Sequence, residues 1–127
     1  MDIESREDLF KVVDLFYKKL FDDKDVQHFF VDFMEPESLK KHLNVLVDFW
    51  DGILFHSGTY TKNAMQPHIE KHKDVPFEAI HFEKWILHLF AAIDEQFKGL
   101  NAEVIKSRAQ SIATVMQIRL LHTPNNI

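Results

Sequence analysis

Histidine is the residue type that most needs explaining in this sequence. There are eight among 127 residues, and there is no cysteine. Four of them, His68, His72, His81 and His88, fall in one stretch, HIEKHKDVPFEAIHFEKWILHLF, from His68 to Phe90. Near neutral pH an imidazole moves protons, makes hydrogen bonds and, when neutral, ligates metals. His68 and His72 stand four residues apart, which puts them on one face of a helical turn. Pro76 then breaks that turn, because proline disfavours helical geometry in the residue before it, here Val75. Beyond the break Phe82, Trp85, Ile86, Leu89, Phe90 and Ile93 recur at helical spacing and predict one apolar face. A histidine is thus offered from a short turn towards an aromatic-faced helix, which suits a cofactor held between two segments. Two more polar side chains lie where apolar ones are expected. His42 falls on the apolar side of a predicted helix, and Tyr17 lies on or beside that of another. Each also has a plain structural reading, as a satisfied core histidine and as a core tyrosine bonded to a backbone carbonyl.

The elements that must position these groups are helical. Ser5 caps a first helix from about Arg6 to Phe21, with Asp8 completing an imperfect capping box. Leu9, Val12, Val13, Phe16, Tyr17 and Leu20 mark its stripe. Val26 to Met34 is short and aromatic-dense, and predicts a turn or short helix with Phe29, Phe30 and Phe33 lying over the core. Glu35-Pro36-Glu37 opens a second helix that runs to about Phe55 and stops before Ser57-Gly58. Its expected stripe is Leu39, His42, Leu43, Leu46, Phe49 or Trp50, and Ile53. A loop from Gly58 to Asn63 and a helical turn from Ala64 to His72 follow. A long helix is expected from about Glu78 to Lys98, stopping at Gly99. Asn101 caps a last helix, Ala102 to about Leu121, with Ile105, Ala109, Ile112, Met116 and Leu120 inward. Ala109 and Ala113 are small enough for a close crossing. Thr123 to Ile127 is expected to fray. The chain reads as one all-α domain over residues 1–127, with an ordered core from about 6 to 122. A four-helix bundle fits the bare pattern almost as well.

Composition narrows the function classes. Hydrophobic residues make up 46% of the chain and twelve residues are Phe, which argues against disorder. No apolar run approaches about eighteen residues, so no membrane span is expected. The acidic start MDIESREDLF is not a signal peptide. The lack of cysteine excludes disulfides, thiolate metal sites and a cysteine nucleophile, and makes the cytoplasm the default compartment. A net charge of −5 without a basic block argues against nucleic acid as a partner.

The stretch around His72 resembles the proximal region of the truncated haemoglobins, most closely their third group. The residues that carry the resemblance are the pair Lys71-His72, the loop Asp74-Val75-Pro76-Phe77, and the helix opening His81-Phe82-Glu83-Lys84-Trp85. The resemblance covers the chain from about Asp8 to His122. It implies a two-over-two helical sandwich that holds haem b and binds dioxygen, with carbon monoxide and nitric oxide as related ligands. It implies His72 as the axial ligand, with Tyr17, His42 and Trp85 as the distal set. Phe30 and Phe77 take their places against the haem from the same likeness. Leu46, Phe49, Phe82 and Ile86 join them from their stripe positions, and Met65 covers the edge. Lys71 is the candidate partner for a haem propionate, by adjacency to His72. His81 and His68 remain competitors for the iron. Tight dioxygen binding with slow release is expected, with detoxification of nitric oxide or peroxide possible given an external reductase, in a monomer. Two other classes compete with this one. A non-haem di-iron bundle needs two Glu-x-x-His helices, and Glu78 to His81 is one clear copy. A helical interaction module would use the aromatic residues as a partner groove.

Overall fold

The computed structural model describes residues 1–56, 68, 70–72 and 76–121. The loop expected from Gly58 to Asn63, Met65, the break at Asp74-Val75 and the end from Thr123 to Ile127 lie outside the described residues.

Helix α1 spans Arg6–Phe21, as its stripe and cap predict. Ser5 stands in extended backbone and its Oγ accepts from the Asp8 N–H at 3.2 Å. The Asp8 carboxylate reaches back to the Glu4 N–H at 2.9 Å, so the box closes one residue earlier than in the usual pattern. Leu9, Val12, Val13, Phe16, Tyr17 and Leu20 are all buried. A 3-10 segment, Gln27–Phe33, follows, with a non-helical kink at Phe30.

Helix α2, Pro36–Phe55, begins with the Glu35 carboxylate accepting from the Glu37 and Ser38 N–H groups. It ends at His56, which takes the left-handed conformation (φ 56°) that glycine usually fills. Its buried row is Leu43, Val47, Trp50 and Asp51. The expected stripe is therefore turned: Leu39, His42, Leu46, Phe49 and Ile53 form a second, half-buried row. Asp51 tolerates burial because Arg6 of α1 reaches it at 2.9 Å while also bonding Asp48 at 2.8 Å.

Helix α3, Ala79–Asp94, is shorter than the span to Lys98 that periodicity suggests. The chain turns at Glu95 and reaches Gly99, whose φ is 152°. Helix α4, Leu100–Leu121, then starts before the expected Ala102, and its cap is not Asn101. The Asp2 carboxylate accepts from the Asn101 N–H at 2.8 Å and the Ala102 N–H at 3.0 Å, and the Asn101 side chain donates to the Ile3 carbonyl at 2.6 Å. Asp2 also lies where a Cβ on residue 99 would stand, 2.4 Å from its Cγ, so only glycine fits there.

α1 packs on α2 and α3, α3 on α4, and α2 on α4. This is a two-over-two helical sandwich with no strand among the described residues. Its core runs through Phe16, Leu43, Leu89, Ile93 and Ile105, and Ala109 and Ala113 are buried where a close crossing needs small side chains. No described helix is long and apolar enough to cross a membrane.

Candidate functional site

Tyr17 of α1 and His42 of α2 meet. The Tyr17 hydroxyl lies 2.5 Å from His42 Nε2, where the core-residue reading expected a backbone carbonyl. Aromatic rings close around them. Phe16, Phe21, Phe30 and Phe33 each stand edge-on to Tyr17 at 5.3–6.3 Å between centroids. Phe33 also lies face to face on the His42 ring, at 3.9 Å and 8°. Burial pushes the Tyr17 phenol far above its usual pKa, so it keeps its proton. Burial, helped by the nearby His68, pushes His42 down to about 4. The pair is therefore neutral near pH 7, with one hydroxyl proton and one ring proton between them. With the ring proton on Nδ1, the phenol donates to Nε2. With the ring proton on Nε2, the imidazole donates to the phenol oxygen, and the phenol proton is free for a third group.

Trp85 of α3 approaches through Phe16, the residue before Tyr17, with ring centroids 6.1 Å apart. Its helix is pinned on either side of it. Asp23, just past the end of α1, bonds His88 Nε2 at 2.6 Å and lies 3.6 Å from Lys84 Nζ. The His88 hydrogen bond holds the Asp23 carboxyl below its usual pKa.

His72 stands on the far side of the 3-10 segment's aromatic residues. His68 and Glu70 to His72 are helical, and His72 is half-buried and stacked on Phe77 at 5.7 Å and 11°. Phe77 in turn meets Phe29 at 4.6 Å and Phe82 at 5.6 Å. The Phe77 N–H donates to His72 Nδ1 at 2.8 Å. A ring nitrogen that accepts a hydrogen bond carries no proton, so in this form the proton of a neutral His72 sits on Nε2. For Nε2 to serve as a ligand, that proton would have to sit on Nδ1 instead, displacing the Phe77 N–H. His81 is occupied differently: its Nδ1 accepts from the Glu78 N–H at 2.9 Å and caps α3, while its ring leans on Phe29 at 4.7 Å. His68 lies 6.4 Å from Phe77.

The remaining predicted residues form the apolar part. Phe82 is buried, and Phe30, Leu46, Phe49, Phe77, Trp85 and Ile86 are half-buried against the edge of the core. Lys71 lies 3.7 Å from Asp32. Met65 lies outside the described residues. A half-buried imidazole, half-buried apolar side chains and a part-buried donor pair are the residue types a haem requires, and they fit it. Sequence reasoning missed Asp23 and the separate tasks of Phe29 and Phe33, because neighbouring rings look alike until their partners are known. Among the described residues no cluster of three or more histidines and carboxylates is placed to hold a metal ion.

The sequence profile of the bacterial-like globins matches residues 2–118. The chain belongs to that family. The group 3 truncated haemoglobin of Campylobacter jejuni is 31% identical to this globin over 115 residues, which cover 89% of this chain and 88% of the other. The crystal structure of group III truncated haemoglobin from the same organism matches it with a TM-score of 0.83 at 28% identity, over 94% of this chain and 95% of that one. The likeness thus extends through the whole two-over-two sandwich. As a globin of the truncated type, the protein carries a haem cofactor and binds diatomic gases at it.

Proposed function

We propose that this globin is a monomeric cytoplasmic haem b protein that binds dioxygen tightly and releases it slowly, with His72 as axial ligand and Tyr17, His42 and Trp85 as distal donors. The observation that carries this reading is the Tyr17–His42 hydrogen bond, a part-buried polar pair among phenylalanine rings. Haem supplies an iron that takes a diatomic ligand and shifts electron density onto its outer atom. The chain supplies the rest. Phe30, Leu46, Phe49, Phe77, Phe82 and Ile86 exclude water from the ring faces, and Lys71 offers a cation for a propionate in place of its long contact with Asp32. The Tyr17 hydroxyl, with His42 Nε2 as the group that orients it, donates to the outer atom, and the Trp85 indole N–H is a second donor.

Donors aimed at developing charge favour retention over exchange, which suits scavenging or chemistry better than transport. Detoxification of nitric oxide or peroxide is the reaction class that fits. Turnover draws its electrons from an external reductase. The test is the absorption spectrum of the purified protein, oxidised, reduced, and reduced under carbon monoxide, beside His72→Ala. A Soret band that shifts with carbon monoxide and is lost or grossly altered in the variant is expected. A band that survives unchanged moves the ligand to His81 or His68. No band after haem is supplied overturns the haem reading.

A further inference from the structure

We propose that Phe33 is the positioning residue of the distal pair: its ring, lying flat on the imidazole, holds His42 with Nε2 on the Tyr17 hydroxyl. As regards ligand release this rests on the function proposed above, but the positioning itself does not. Three observations carry it. The two rings are almost parallel, at 8°, and 3.9 Å apart, a contact that fixes the plane of the imidazole as well as its place. The same Phe33 ring stands edge-on to Tyr17 at 6.3 Å, so one side chain touches both partners of the 2.5 Å hydrogen bond. Finally, Phe33 closes the 3-10 segment and is only half-buried, outside the fully buried core. It packs against the edge of that core with the pair among its neighbours. An imidazole hydrogen-bonded at one nitrogen can still turn about its Cβ–Cγ bond. With a flat ring against one face, turning costs the stacking contact.

The consequence is a division of labour. Tyr17 and His42 supply the protons, while Phe33 sets how often their hydrogen bond opens. A leucine at position 33 keeps the apolar volume and removes the flat face. A tyrosine keeps the face. The full-length protein with histidine labelled in nitrogen-15 is examined as purified, reduced and under carbon monoxide, with His42→Gln identifying the His42 signals. In the wild type and Phe33→Tyr the His42 Nε2 signal is expected at one hydrogen-bonded position. In Phe33→Leu it moves towards free imidazole or broadens. Carbon monoxide release from Phe33→Leu is expected to be about two- to twelvefold faster, the range that one aromatic contact accounts for. The same substitution placed on His42→Gln should add less than twofold. An unchanged His42 signal in Phe33→Leu overturns the proposal. So does an equal effect of the substitution with and without His42, because a purely structural ring would show that. The histidine signals report with or without haem, so a missing Soret band strikes the haem reading alone.

Discussion

Replacing Tyr17 with phenylalanine removes one oxygen atom from a full cage of rings. It should do two separable things. First, a donor aimed at a partly charged ligand atom is lost. A hydrogen bond with charge on one partner contributes roughly 1.5–3 kcal/mol, which at about 1.4 kcal/mol per tenfold is a ten- to hundredfold change. The Tyr17 proton is shared with His42 Nε2, and an even division between the two arrangements lowers the effect only about twofold. Dioxygen release should therefore accelerate by about five- to fiftyfold. Secondly, His42 Nε2 is left in an apolar site without its partner, which costs about 1–3 kcal/mol and lowers the melting temperature by roughly 4 °C per kcal/mol in a chain of this size. Stopped-flow displacement of dioxygen gives the first quantity and thermal unfolding of the same variant gives the second. A clear loss of stability with release unchanged within twofold would refute the donor role, and would leave Tyr17 as nothing more than the buried partner of His42.

Four further outcomes follow from the same contacts. His42 is held down to about 4 in the folded chain against 6.5 when unfolded; a depressed pKa gives a contribution present in full above 6.5 and lost as pH falls from there through 4. That contribution is on the order of 3 kcal/mol, and His42→Leu should flatten the denaturant midpoint across that window. Asp23 is likewise depressed from 3.8 by its bond to His88, so its contribution is present above 3.8 and lost below it; Asp23→Asn should be less stable at pH 7, with the difference shrinking as pH falls below 3.8, as urea midpoints will show. Asp2→Ala removes the cap of α4 and should cost about 1 kcal/mol. Gly99→Ala places a Cβ 2.4 Å from Asp2 Cγ at φ 152° and should cost more in the same urea assay.

How much of this was legible in the sequence depends on how far apart the interacting residues stand. The stripe and cap of α1 are local features, and Leu9 to Leu20 are buried as their spacing predicts. On α2 the sequence shows a wide apolar surface but not which row meets the core. That row is the one containing Asp51, because Arg6, 45 residues away, pairs with it. The cap of α4 comes from Asp2, 99 positions before Asn101, and no window along the chain contains both. The two polar residues of the site were visible as misfits on apolar stripes. That they are misfits for one another, across 25 positions, was not.

The aromatic run from Phe29 to Phe33 shows the limit most clearly. By composition it is a lid, and any of its rings would serve. The segment kinks at Phe30, and Phe30 stands against Tyr17 while Phe33 meets both Tyr17 and His42. Phe29 points elsewhere and lies on Phe77, whose ring stacks on His72. Asp32, between them, reaches Lys71. One seven-residue segment therefore braces the donor pair with two of its rings and the proposed ligand's support with the third. A substitution that rotates this segment moves both sides of the site at once. Substitutions at Phe29 and Phe33 should then be non-additive in ligand release although their rings touch different residues, whereas independent lids over one core would simply add.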